Sequence, residues 1–272
     1  MVELALEAVT HVYPEGRVRA LDGIDLRIRS GERVALVGQN GSGKSTLVRH
    51  LNGLLRPTSG RVLVDGADVR HTTVAQLART VGLVFQDPDR QIFAGSVRAE
   101  VEYGPRNLGL RGPALRAAVE AALAAVGLEN EERTNPYDLG ASRRKLLALA
   151  SVLAMGTPVF VLDEPTTGQD ERGVDRVRSV IEAVHAAGRS LVAISHDMRF
   201  AAEAFDRIVV LRAGRVIADG TPATVFGSAS WDALRSSYLE PPLASVLGER
   251  LGLGSTPTDA SLISALGAAA AG

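Results

Sequence analysis

Apolar residues recur along this chain in two rhythms, and each switch of rhythm marks a new element. From the start the pattern alternates, with Val2, Leu4, Leu6 and Ala8 set against Glu3, Ala5 and Glu7, which predicts a strand of an antiparallel sheet. Residues 21–28, Leu-Asp-Gly-Ile-Asp-Leu-Arg-Ile, predict its partner, and the turn Tyr13-Pro-Glu-Gly16 lies between the two. Residues 33–37, 81–85, 158–162 and 190–195 are instead continuous apolar runs, as expected of parallel strands covered on both faces. Helical spacing follows at 47–51, 74–79 and 172–186, and residues 61–65 with Gly66 predict a strand and turn. Between the second and third apolar runs the texture changes. Residues 96–103 and 113–126 are Ala- and Glu-rich helical stretches joined by Gly104-Pro105 and Gly109, so about 87–155 is predicted to be a helical insertion in a sheet domain. Residues 208–211 and 215–218, around Ala213-Gly214, predict a closing hairpin, and the domain is expected to span 1–226. Beyond it, 227–272 carries Pro241-Pro242, a short helix to Leu251 and an Ala-rich tail, which predicts a small helical annex. No internal repeat is visible.

The first parallel strand ends in the most informative stretch. Gly38-Gln-Asn40-Gly41-Ser42-Gly43-Lys44-Ser45-Thr46 fits G-x-x-x-x-G-K-[ST], with a strand before it and a helix after it. Glycines let such a backbone curl until several N–H groups converge on phosphate oxygens at the positive end of a helix. Lys44 is expected to reach the β- and γ-phosphates as a point charge, and the Ser45 hydroxyl to ligate Mg²⁺. A nucleoside triphosphate is therefore the expected ligand. An apolar strand ending in Asp163-Glu164 suits phosphoryl transfer. Asp163 is expected to hold Mg²⁺ and Glu164 to orient or deprotonate the attacking water, with capping of the next helix as the structural alternative. Gln86, Glu164 and His196 all follow apolar strands, so all three fall at the carboxyl edge where open α/β sheets bind ligand. Tyr13 has two readings of equal weight: stacking on the adenine face, or packing on its own turn.

Composition narrows the setting. At 272 residues, 46% hydrophobic and 22% charged, the chain has room and material for one large α/β domain with an appendage, or for two modest domains. A net charge of -1 supplies no basic field, so no nucleic-acid partner is expected. Zero Cys excludes disulfides and thiolate chemistry and agrees with a reducing cytoplasm. The acidic start Met1-Val-Glu-Leu-Ala-Leu-Glu7 lacks the base of an export signal, and the longest apolar run, 146–155, is too short to span a bilayer. The chain has two lysines: Lys44 sits in the phosphate loop, and Lys145 is expected on a solvated face.

Together, Gly38 to Thr46, Gln86, Asp163-Glu-Pro-Thr-Thr-Gly-Gln-Asp170 and His196-Asp197 resemble the Walker A, Q-loop, Walker B with D-loop, and switch histidine of ABC-type ATPases, in order and spacing over about residues 1–225. The resemblance implies the P-loop NTPase form of the α/β class, with an antiparallel β subdomain and a helical subdomain. It implies ATP and Mg²⁺ as cofactors, with Gln86 a further metal ligand and Asp170 at the nucleotide. A narrower resemblance, carried by 86–93, 101–110 and 241–251, is to the ATPase subunits of energy-coupling-factor (ECF) importers of vitamins or transition-metal ions. It implies a head-to-tail pair with a second ATPase subunit, a transmembrane coupling protein received near 86–93, a membrane substrate-binding protein, pairing through the annex, and a place on the cytoplasmic face of the membrane. One departure stands out. The family signature Leu-Ser-Gly-Gly-Gln, whose Ser meets the γ-phosphate bound on the opposite subunit, is here Leu139-Gly140-Ala141-Ser142-Arg143, ahead of a helix expected near Arg143. The helix N-terminus with its N–H groups at Ala141 and Ser142 still makes an anion site, and Ser142 offers a hydroxyl slightly later. Gln169 likewise replaces the D-loop's usual Leu. Three other readings are weighed: a soluble ABC ATPase of DNA repair or translation, a weakly active regulatory partner, and a P-loop small-molecule kinase. No phosphoacceptor site or lid supports the last.

Overall fold

The structure, a computed structural model, describes residues 2–14 and 18–271. Glu15 and Gly16 of the predicted turn lie outside the described residues. In chain order the strands and α-helices begin with β1 (Leu4–Tyr13), β2 (Val18–Ile28), β3 (Arg33–Val37), α1 (Lys44–Leu51), β4 (Ser59–Val64) and β5 (Ala67–Asp68). Next come α2 (Val74–Leu77), β6 (Val81–Val84), α3 (Val97–Asn107), α4 (Gly112–Val126), α5 (Ala141–Leu153), β7 (Val159–Asp163) and α6 (Glu171–Ala186). The chain closes with β8 (Ser190–Ile194), α7 (Met198–Ala204), β9 (Arg207–Arg212), β10 (Arg215–Gly220), α8 (Pro222–Phe226), α9 (Trp231–Ser236), α10 (Leu243–Arg250) and α11 (Asp259–Ala271).

Two sheets result. A six-stranded sheet has the order β10-β9-β3-β8-β7-β6, and a four-stranded sheet the order β2-β1-β4-β5. In the larger sheet β3, β6, β7, β8 and β9 are mutually parallel through their pairings, with β10 antiparallel at the edge beyond β9. Pleating divides each central strand between two cores. Val34 and Leu36 of β3, Val161 of β7 and Ile194 of β8 join Leu4, Leu21 and Leu47 on the side of the antiparallel sheet. Ala35, Val37, Phe160 and Leu162 face the other way, into a core with α3, α4, α5 and α6. That two-sided burial is why these runs carry no polar alternation.

The structure differs from the expected pattern in local ways. β1 runs on to Tyr13 because Ala8, at φ 47°, bulges and resets the register between Leu6 and Val9. α3 does not stop at Tyr103 but continues through Gly104-Pro105 to Asn107. Proline in that last turn forfeits only the bond to the Val101 carbonyl, and Gly104 leaves room for Met155, whose Cγ would lie 2.6 Å from an added Cβ. The helix expected near Arg143 starts two residues earlier, at Ala141, with Gly140 as its N-cap. The closing hairpin forms as expected from β9 and β10, and β9 joins it to the main sheet by pairing in parallel with β3. Past residue 226, Leu234 and Leu239 join the helical-side core, and Arg199 on α7 bonds Asp259 of α11 at 2.7 Å. No helix among the described residues is long and apolar enough to cross a membrane.

Candidate functional site

β3 delivers the chain into the turn at 38–43, where glycine is obligatory at both ends. A Cβ on Gly38 (φ 151°) would collide with the Leu211 carbonyl, and one on Gly43 (φ 105°) with the Ala20 carbonyl. Gly43 caps α1, so Lys44, Ser45 and Thr46 occupy its first turn. Lys44 is 6% exposed and its Nζ donates to the carbonyls of Gly38 (2.6 Å) and Gln39 (2.9 Å), with the Ser42 hydroxyl at 3.4 Å. Burial draws its pKa below the usual lysine range, while Glu164 and Asp163 push it back up.

Those two acids stand at the end of β7. Asp163 is 5% exposed and accepts one hydrogen bond, from the Ser45 hydroxyl at 3.4 Å. Burial raises its pKa, the Ser45 hydrogen bond opposes that rise, and the neighbouring Glu164 charge adds to it. A buried carboxylate beside a hydroxyl, both hard oxygen donors, is a donor set that fits Mg²⁺. Glu164 occupies a left-handed backbone conformation (φ 50°), a strain of about 1–3 kcal/mol of the kind kept at functional positions. Its N–H donates to the Ile194 carbonyl at 3.1 Å, tying the strained residue to the end of β8. Its Oε2 accepts from Gln86 Nε2 at 2.9 Å and from the Thr167 hydroxyl at 3.2 Å, and His196 Nδ1 lies 3.6 Å away. The ends of β6, β7 and β8 therefore converge on one carboxylate oxygen. Gln86 presents its amide nitrogen, not its carbonyl, to that carboxylate.

Tyr13, Asn40, Lys44, Ser45, Gln86 and Glu164 line a cleft of about 420 Å³, together with Gly41, Gly43 and Thr46. The Tyr13 ring meets His11 edge-on with centroids 4.6 Å apart, and its hydroxyl shares a hydrogen bond with Thr46 at 3.1 Å. Tyr13 thus packs on His11 and Thr46 and also lines the cleft. Gly140, Ala141, Ser142 and Asp170 are not among the residues lining it. Gly140 is exposed at the N-terminus of α5 (φ -62°, ψ 158°), with nothing within 4 Å of where a Cβ would sit. Asp170 caps α6, accepting from the Gly173 N–H at 2.8 Å.

The structure places two residues differently from expectation. Lys145 is not on a solvated face. It is half-buried, donates to the Thr167 carbonyl at 2.6 Å, and lines a small hollow with Gln86, Asp163, Glu164 and Gln169. Burial lowers its pKa, with Glu164 the leading opposing charge. The only available signal was its rarity, one of two lysines in a chain that otherwise uses Arg. The Ser142 hydroxyl, expected to replace the missing signature serine, donates instead to Gln169 Oε1 at 2.6 Å within its own protomer. Thr167, which sequence reasoning did not single out, holds Glu164 directly.

Comparison with known proteins gives a consistent result. The family described as ABC transporter matches residues 21–167. The chain is 42% identical to the cobalt import ATP-binding protein CbiO of Rhodobacter capsulatus, over 88% of this chain and 85% of that protein. It is 37% identical to the energy-coupling factor transporter ATP-binding protein EcfA of Methanothermobacter thermautotrophicus, over 95% and 83%. Among solved structures, cbiO1 of Clostridium perfringens, described as part of the ABC transporter complex cbiONQ, superposes with a TM-score of 0.74 at 35% identity, covering 90% of this chain and 98% of that one. A dimeric ATP-binding cassette, MJ0796, in a post-hydrolysis state with ADP and Pi, superposes at 0.74 with 26% identity, over 80% and 98%.

Proposed function

Since this chain belongs to the ABC transporter family of ATP-binding cassettes, we propose that it is the ATP-hydrolysing subunit of an ECF-type importer whose cargo is a transition-metal ion or a vitamin. The observation that carries the catalytic part is the convergence of Gln86, Thr167 and His196 on one oxygen of Glu164, at the rim of the cleft that holds Lys44 and Ser45. The relatives named for cobalt import and for the energy-coupling factor supply the transport part.

In this mechanism the loop N–H groups and Lys44 bind the triphosphate, with Lys44 exchanging the Gly38 and Gln39 carbonyls for phosphate oxygens. Tyr13 stacks on the adenine. Mg²⁺ held by Ser45 and Asp163, with Gln86 as a further ligand, would neutralise charge that develops on the phosphoryl oxygens. Glu164 accepts hydrogen bonds from Gln86 and Thr167, with His196 3.6 Å away, so its carboxylate is aimed before substrate arrives and can take the proton of the attacking water. His196, on the exposed side of Glu164, and Lys44 stabilise the leaving charge. A second subunit completes the site with the N-terminus of its α5, whose first N–H groups point out of the helix. Asp170 lies on the loop that meets this neighbour. Closure is then a population shift, because ATP touches both subunits only in the closed pair.

Opening and closing pass to the membrane partner through 86–93. Gln91 fixes that segment to α5 through the Ala148 carbonyl (2.8 Å) and the Ser151 hydroxyl (2.9 Å), while Phe93 and Tyr103 form an exposed aromatic pair beside it. The annex, with Leu243 and Leu247 on α10 and Leu251 just past its end exposed at four-residue spacing, is the pairing surface of the two ATPases. The test is to purify the chain from its native membranes in mild detergent. A transmembrane coupling protein and a substrate-binding membrane protein are expected with it, together with ATPase activity. Recovery of active enzyme with nucleic acid or a soluble complex, and no membrane protein, would refute the transport assignment. Gly140 favours a second reading, a slow or regulatory member of a mixed pair, which is separated by comparing turnover of the homodimer with that of the mixed dimer.

A further inference from the structure

The geometry points to Gln169 as a positioning residue that holds the N-terminus of α5 against the loop carrying Glu164, a role that rests on the composite site proposed above. Two of the departures from the family pattern, Ser142 and Gln169, turn out to be two halves of one contact. The Ser142 hydroxyl donates to Gln169 Oε1 at 2.6 Å, and Gln169 Nε2 donates back to the Ser142 carbonyl at 3.1 Å. A carboxamide donates and accepts at once, which the leucine usual at this position cannot do.

The contact belongs to a chain of bonds. Lys145, one turn along α5, donates to the Thr167 carbonyl at 2.6 Å, and the Thr167 hydroxyl donates to Glu164 at 3.2 Å. The tip of α5 and the general base are thus fastened to opposite sides of one short loop. The seat for the Gln169 carboxamide is built into α6. Gly173 lies inside that helix without positive φ, where glycine costs about 1 kcal/mol relative to alanine. A Cβ there would fall on Gln169 Oε1, so the missing side chain at 173 makes the room that Gln169 fills.

The chemistry gives the contact its purpose. With Gly140 in place of serine and the Ser142 hydroxyl turned inward, the anion site at the α5 tip consists of backbone N–H groups. A serine side chain can rotate to find a phosphate oxygen, whereas main-chain donors point wherever the helix points. Their aim depends on what holds the helix, and misplacement by about 1 Å can cost up to 10²-fold in rate.

The full-length protein is tested as Ser142→Ala, Gln169→Leu, the double variant, Gly173→Ala, and Gly173→Ala combined with Gln169→Leu. In steady-state Mg-ATP hydrolysis each single change is expected to lower kcat about tenfold with KM within twofold, and the Ser142/Gln169 double variant to fall no further than either single. Gly173→Ala should lower kcat without lowering the melting temperature, and should have a smaller effect once Gln169 is Leu. Additive losses, full kcat in Gln169→Leu, or an equal Gly173→Ala loss in both backgrounds would overturn the assignment. Hydrogen exchange over 144–150 provides a readout independent of turnover. Faster exchange in Ser142→Ala and Gln169→Leu supports the contact, and unchanged exchange overturns it. Should the parent protein hydrolyse no ATP, the catalytic reading fails while the exchange experiment still decides the role of Gln169 in holding α5.

Discussion

Replacing Gly140 with serine restores the hydroxyl that the family pattern places at the tip of α5, and the structure sets the terms of that substitution. The backbone at 140 (φ -62°, ψ 158°) is the extended N-cap conformation that serine prefers, and nothing lies within 4 Å of the new Cβ. Strain is therefore absent, and glycine-to-serine at an N-cap changes stability by only a few tenths of a kcal/mol. The hydroxyl can accept an N–H of the first turn of α5 while donating its proton to the γ-phosphate on the partner subunit. A hydrogen bond to a charged group contributes about 1.5–3 kcal/mol. If it forms fully as the reaction proceeds, kcat/KM rises about 10- to 150-fold, since about 1.36 kcal/mol corresponds to tenfold. Phosphate release under varied Mg-ATP, with a melting curve on the same samples, measures both quantities. A Gly140→Ser variant with parental turnover and parental melting temperature would show that α5 never meets the triphosphate, and the composite site would have to be abandoned.

Glu164→Gln keeps the hydrogen-bonding shape and removes the base, so turnover should drop at least about 10²-fold while ATP traps dimers visible by size exclusion; near-parental turnover refutes the assignment. Asp163→Asn should abolish Mg-dependent hydrolysis yet raise the melting temperature of the nucleotide-free protein by about 2–4 °C, the equivalent of about 1 kcal/mol, because burial raises the Asp163 pKa and its charge is a folded-state cost at neutral pH. A lower melting temperature would contradict that sign. His50 is fully buried, and burial depresses its pKa below 6.5 despite the bond from its ring to the Thr46 carbonyl. The unfolded chain therefore takes up the proton first, and the contribution of His50 is present above pH 6.5 and lost as pH falls below it, at up to about 1.4 kcal/mol per pH unit. Urea midpoints from pH 8 to 5 should show that slope, His50→Gln should flatten it, and an unchanged slope would exclude His50 as its source.

Much of this was legible because the sheet leaves so strong a mark. Residues 33–37, 81–85, 158–162 and 190–195 needed apolar side chains on both faces, and the polar residues directly beyond them had to emerge at one edge. Where the pattern misled, a tertiary contact overrode a local rule. Pro105 stays helical because it sits in a last turn that is packed on Met155, and Ala8 breaks the alternation of β1 by bulging. Lys145 looked solvated because a single sequence does not show that the Thr167 carbonyl waits opposite it. Gln169 and Ser142 stand 27 positions apart, and only the fold shows that they are partners.

The burial of β3 from both sides has a mechanical consequence. A strand gripped by two dry interiors at once has no cheap displacement open to it, since any shift would open voids above and below together. The phosphate loop is thus mounted on a strand that two cores hold in place, so conformational change has to come from elements outside it. An engine built this way keeps its anvil still and moves the hammers.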